Sequence, residues 1–239
     1  MRVKERIRKT RRIREFLFFP TEYLVKNYTT LVFDVETGGL RSSESDVLSF
    51  SYQLYRNGKK VDEGTRYYYS RPNRIVYSEA IAVNGLTKEK ITEKREQQKA
   101  SYPEYFAEDK EVLSLFEEAD ILVAHNIRFD YSFVVSAFGR MFDAHKYCTM
   151  RNSTYECYIP HSYFGLKWPK LEEAVAELGL LEDNKKEFHD SSVDVYYTAK
   201  LFKKLIRLGY VENLPIPQIY RKFARKTLEK LIGFAPKTL

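Results

Sequence analysis

From about residue 29 to residue 69 the apolar positions fall two apart, the period of a strand with one face turned to a core. Residues 29 to 36 predict a first strand. "DVLSFSYQLY" sets Leu48, Phe50, Tyr52 and Leu54 on one face, Asn57-Gly58 is a two-residue hairpin signal, and "KVDEGTRYYYS" returns as another strand. Three antiparallel strands therefore open the domain. The period then changes. Residues 78 to 118 read as helical, ending in "EVLSLFEEAD", where Val112, Leu113, Leu115 and Phe116 turn toward a core before a break at Asp120. "ILVAH" is a short apolar strand, and "NIRFDYSFVVSAFGRM" is a helix marked by Phe129, Phe133, Val134 and Phe138. "KYCTM" is a further short strand, "KLEEAVAEL" a helix stopped by Gly179, and "DSSVDVYYTAKLFKKLIRLG" a long helix stopped by Gly209. Strands first, then strands alternating with helices, predict an α/β fold with a mixed sheet covered by helices. Ahead of the first strand, Val3, Ile7, Phe16 and Leu17 among arginines predict a basic amphipathic helix.

The first strand breaks its own pattern. In "LVFDVETGGL" two carboxylates interrupt an apolar run, and strand alternation turns Asp34 and Glu36 to the same face. Like charges side by side in a buried strand are costly unless a cation neutralises them, and a divalent cation that takes oxygen ligands would do so. An exposed strand end beside a loop is the plainer alternative, and the pair alone does not decide between them.

Composition narrows the classes. With 239 residues, 44% hydrophobic and 15% aromatic, the chain can build one sizeable core. No apolar run reaches the ~18 residues of a membrane span, and "FLFFP" is too short for a signal-peptide core. Cys148 and Cys157 have no metal-ligand spacing and read as ordinary buried residues of a soluble, cytoplasmic protein with no membrane partner. Of the net charge of +7, residues 1 to 15 carry +6 and residues 216 to 239 carry +5, which leaves −4 on the centre. An acidic centre between basic ends suits a metal-binding core with arms for a polyanion, or else two solvated helix faces.

Further carboxylates align with the first pair. Asp130 lies near the start of the helix after "ILVAH", and Asp194 lies in the last long helix, five residues beyond His189. On one continuous helix those two would stand about 140° apart, so His189 belongs in the loop before the helix and Asp194 in its first turns. Together these segments resemble the DEDD superfamily of 3′-to-5′ exonucleases in its DEDDh branch, which includes the epsilon proofreading subunit of bacterial DNA polymerase III and ribonuclease T. The family's motifs stand here as "FDVETGGL", "AHNIRFD" and "HDSSVD". "VNGLT" resembles the His-Gly-Ile-Thr segment of many members, with Asn84 where His is common, and "KWPKLEEA" looks like the helix start before the third motif.

The resemblance covers about residues 29 to 208. It implies a ribonuclease H-like mixed five-stranded sheet, three antiparallel strands then parallel ones, flanked by helices. It divides the chain into a basic helical arm and connector (1–28), an exonuclease domain (29–208) and a basic extension (209–239). It implies a metal-dependent 3′-to-5′ exonuclease of DNA, with RNA as a further substrate class, that releases nucleoside 5′-monophosphates with two Mg²⁺ or Mn²⁺ ions held by Asp34, Glu36, Asp130 and Asp194. His189 would be the general base. Thr37, Gly38, Leu40 and Asn126 would bind substrate, with Leu40 wedged against the terminal base. The expected partner is nucleic acid with a free 3′ end, single-stranded DNA foremost, and a polymerase or another replication or repair protein is a further partner class. An RNA-trimming exonuclease and a non-catalytic nucleic-acid adaptor are the competing readings. His125 reads as a hydrogen-bonded supporting residue, and Trp168 as a buried packing residue at a helix start.

Overall fold

The computed structural model describes residues 3–5, 7, 8, 11, 25–162, 165–182, 188, 190–211, 214 and 215. One sheet organises them, in the order β3-β2-β1-β4-β5. Its strands are β1 (Thr30–Thr37), β2 (Val47–Arg56), β3 (Lys59–Tyr67), β4 (Ile121–Ala124) and β5 (His145–Cys148). β1, β2 and β3 pair antiparallel, while β4 runs parallel to β1 and β5 parallel to β4. This is the ribonuclease H-like arrangement that the resemblance implies. The β2–β3 turn is made by Asn57 at φ 52° and Gly58 at φ 71°, the pair of left-handed residues that a two-residue turn needs.

Past the arm, seven α-helices are described, with one 3-10 turn (Phe106–Glu108) besides: α1 (Ser78–Asn84), α2 (Lys88–Gln97), α3 (Lys110–Glu118), α4 (Ile127–Phe138), α5 (Thr149–Cys157), α6 (Leu171–Glu177) and α7 (Ser191–Arg207). The region expected to be helical from 78 to 118 is three separate helices. Gly85 at φ 68° ends α1, Thr87 caps α2 by accepting from Lys90 N, and Asp109 caps α3 through Glu111 N and Val112 N. The α5 helix was not foreseen. Its "TMRNSTYEC" is poor in strong helix formers, yet five of its nine residues are buried, in packing against α6 and α7.

The sheet has a core on each face. Leu31, Phe33 and Val35 of β1 pack with Phe50, Val112, Phe116 and Phe133 on one side. Val32 shares the other side with Val123, Tyr147 and the α6 and α7 residues Val175, Val195 and Leu201. Alternation therefore turns Asp34 and Glu36 to the α7 side. The described arm positions 3–5, 7, 8 and 11 are helical, as expected. Arg11 is buried there: its Nε reaches Glu156 Oε2 at 3.2 Å, and its other nitrogens donate to the carbonyls of Glu156 and Glu177. The Tyr210 hydroxyl, just past α7, donates to Glu156 Oε1 at 2.7 Å.

Candidate active site

Asp34 and Glu36 are the two half-buried positions of a strand whose other residues are buried. Across the ladder they pair with Ser51 and Ser49 of β2. Those small side chains let the start of α7 lie directly on the sheet. Ser191 Oγ is 2.8 Å from Ser49 Oγ and 2.7 Å from Ser51 Oγ, and Ser51 continues to Thr65 Oγ1 at 2.7 Å. Asp190 caps the helix by accepting from Ser192 N and Ser192 Oγ. Asp194 then falls in the first turn. Carboxylate oxygens of Asp34, Glu36 and Asp194 lie within 4.8 Å of one another.

Asp130 arrives from the other side of β1. The β1–β4 ladder ends at Val32 and Val123, so β1 outruns its parallel neighbour. Asp130, buried in the first turn of α4, fills the gap and accepts from Val35 N at 3.3 Å. Burial, and then the charges of Asp130, Glu36 and Asp194, hold the Asp34 carboxyl well above the usual carboxylate range. Burial and the charges of Asp194 and Asp130 push Glu36 up to about 8, against a hydrogen bond from Asn84. Burial raises Asp130 to about 7, opposed by its backbone hydrogen bonds. Oxygen donors this close, each reluctant to ionise, fit a hard divalent cation.

The loop residues gather around this cluster. Asn84 Nδ2 donates to Thr37 O at 3.1 Å, and Asn84 Oδ1 accepts from Leu86 N, so the end of α1 is tied to the end of β1. A cleft of about 400 Å³ opens beside Glu36, lined by Val83, Asn84, Lys90 and Lys94 on one side and Asp190 and Ser191 on the other. Gly38 sits against Ile75 and Val76. Gly39 is tighter still: a Cβ there would lie 2.5 Å from the Tyr77 ring and 2.6 Å from Ser45 Oγ. Leu40 follows at 85% exposure. Asn126 is exposed at the start of α4, where its carbonyl accepts from Phe129 N and Asp130 N.

His125 is the supporting residue expected of it. Its Nε2 donates to Pro169 O at 2.9 Å, which leaves Nδ1 to accept from the Thr149 hydroxyl at 3.0 Å. Burial lowers it to about 4. Trp168 departs from expectation: it is 58% exposed rather than buried. His189 lies outside the described residues, between Phe188 and Asp190.

A sequence model of the RNase_T family, described as exonuclease, matches residues 31–202. The chain belongs to this exonuclease family. Among curated proteins, the exonuclease domain is 28% identical over 121 residues to the PolC-type DNA polymerase III of Mycoplasmopsis pulmonis, a match that covers 51% of this chain and 8% of the polymerase. The PolC-type DNA polymerase III of Thermotoga petrophila is 30% identical over 111 residues, 46% of this chain and 7% of that one. The chain thus spans less than a tenth of the length of these relatives. Two solved structures share the fold. Exonuclease X in complex with 5′-overhanging duplex DNA superposes with a TM-score of 0.52 at 18% identity, over 74% of this chain and 90% of that one. E. coli exonuclease I in complex with a dA16 oligonucleotide gives 0.58 at 18%, over 77% and 43%.

Two residues of this candidate site were not singled out as such from sequence. Asn84 was noted only for departing from a histidine, and its bond to Thr37 O spans 47 positions. Asp190 lies inside the quoted "HDSSVD", and its charge raises both Asp34 and Glu36.

Proposed function

We propose that the domain is a metal-dependent 3′-to-5′ exonuclease of the DEDDh type, which hydrolyses the terminal phosphodiester of single-stranded DNA and releases nucleoside 5′-monophosphates. One observation carries the reading: oxygens of Asp34, Glu36 and Asp194 converge within 4.8 Å at the end of β1, with Asp130 entering beside them. The polymerase relatives and the oligonucleotide-bound fold neighbours support DNA as the substrate class.

Asp34, Glu36 and Asp194 would hold one cation, and Asp130 with Asp34 a second. Two bound Mg²⁺ or Mn²⁺ ions supply positive charge to the phosphate among four carboxylates and make the attacking water more acidic. His189 takes the proton of that water, a role suited to a group that titrates near neutrality. Leu40 presents an exposed apolar side chain to the terminal base, and the backbone at Thr37 and Gly38 lines the approach of the last sugar. Asn126 orients the strand beside Asp130.

A 3′-labelled oligonucleotide should release mononucleotides with Mg²⁺ and none in excess chelator, and Asp34→Asn should abolish release. Cutting of a circular single strand would replace this reading with an endonuclease. Faster release from a matched RNA would move the substrate class to RNA.

A further inference from the structure

A second surface stands on the same rim of the sheet as the carboxylates. The α5 helix begins where β5 ends, and its outward positions Arg151 and Tyr155, followed by Tyr158, are four and then three residues apart, so they form one stripe. Trp168 joins it: the Arg151 guanidinium lies 5.2 Å from the centre of the indole ring. Trp168 is 58% exposed and Tyr155 48%, an unusual placement for large rings that could have been buried. Arg151 is set against the ring, with no carboxylate paired to it among the described residues, Lys170 is exposed at the N-cap of α6 two residues past Trp168, and Arg128 is exposed in the first turn of α4.

The fold fixes where this stripe lies relative to the site. His125 bonds Pro169 O through its ring and directly precedes the α4 turn that holds Asp130. Traced through that bond, the path from the Asp130 backbone to the Trp168 backbone is about 24 Å at most, from a helical rise of about 1.5 Å and a Cα step of about 3.8 Å. At about 3.4 Å per nucleotide of a stacked strand, that is about seven nucleotides at most, within the ~4–16 that a single-strand groove engages.

We propose that Trp168, with Arg151 and Tyr155, is a stacking platform for the single strand upstream of its 3′ end. The proposal rests on the reading of the carboxylate site as a 3′-end nuclease. Arg151 covers one face of the indole, and a base stacks on the open one, because every base has a π-face and the guanidinium adds positive charge beside the phosphate backbone. A strand seated there enters the carboxylate site with its direction set, while a very short oligonucleotide reaches the site without touching the stripe. The charge of Arg151, Lys170 and Arg128 favours a polyanion over a protein partner.

Trp168 is the sole tryptophan, so its fluorescence reports the platform directly. Titrating the full chain with dT12 in chelator should quench that fluorescence in step with the anisotropy of a labelled dT12, and dT2 should not quench it. With Mg²⁺, Trp168→Ala should raise KM for dT12 about 5- to 150-fold, the effect of one lost stacked base, with kcat unchanged and dT2 hydrolysis unaffected. Trp168→Phe should recover most of the loss. Binding of dT12 without quenching, no binding of dT12, or equal effects of Trp168→Ala on dT2 and dT12 would each overturn the platform. A protein that quenches with dT12 but degrades no oligonucleotide would keep the platform and refute the nuclease reading instead.

Discussion

Glu36 keeps its proton to about pH 8 in the fold, whereas in the unfolded chain it gives it up near 4.5. Its contribution to stability is therefore full below pH 4.5 and is lost as the pH rises toward 8. His125 works the other way: folded, it titrates at about 4 rather than 6.5, so its contribution is present above pH 6.5 and lost as the pH falls toward 4. Between pH 6.5 and 8 only the carboxylate slope remains. The melting temperature of the metal-free protein should fall across that window, Glu36→Gln should lessen the fall while Asp34 and Asp130 keep the rest, and saturating Mg²⁺ should raise melting more at pH 8 than at 6.5, because loading the site displaces protons. A flat profile without metal would mean that Asp34, Glu36 and Asp130 all ionise normally. His189→Ala should keep binding of a 3′-ended strand and lower kcat roughly 10²- to 10⁴-fold, and unchanged turnover would remove it from the chemistry. The pair Asp34 and Glu36 was legible because strand alternation alone turns them to one face. Asn84 was not, since a hydrogen bond between distant segments leaves no periodic mark. Nor was the exposure of Trp168, because an aromatic residue before a helix reads the same whether it faces a core or water.

At the level of elements, the geometry of the carboxylate cluster depends on how closely α7 seats on the sheet. The hydroxyls of Ser49, Ser51 and Ser191 make that seat, all of them buried. Ser191→Leu should lift the start of α7 and carry Asp194 away from Asp34 and Glu36. The expected result is weaker Mn²⁺ binding by titration calorimetry with the far-ultraviolet circular dichroism kept, and unchanged affinity would show that the seat does not set the site. The long, strongly periodic elements were readable: β1, β2, α4 and α7 lie within a few residues of their expected bounds. The α5 helix was unreadable for a physical reason, since Thr, Asn and Ser in "TMRNSTYEC" favour turns when isolated and become helical here by burying Thr149, Ser153, Glu156 and Cys157 among α6 and α7.

Across the whole molecule, Arg11 of the arm and the carboxylate site lie toward opposite ends of α7. The 17 residues of that helix span about 25 Å, with Asp194 in the first turn and Tyr210, which bonds Glu156 beside Arg11, past the last. By sequence, eight basic residues in the arm suited a strand of nucleic acid, and four phosphate contacts would have added about 3 to the salt slope of binding. Of these eight, Arg11 pairs with Glu156 and Lys4 with Glu177. Arg11→Ala should cost about 3 kcal/mol by leaving Glu156 without its guanidinium, or about 6–12 °C in melting temperature. Removing residues 1 to 15 should lower melting at least as much and change the salt slope by less than 3. The two margins of the sheet have a consequence of their own. β3 carries Lys59, Lys60, Asp62 and Glu63 along its exposed length, and β5 is four residues long. Neither margin offers a flat apolar ladder on which another strand could template itself. Such a sheet can stand beside the unfolded or growing segments of a longer polypeptide without recruiting them, and Lys60→Val with Glu63→Val should make the protein prone to light-scattering aggregates that the parent chain does not form.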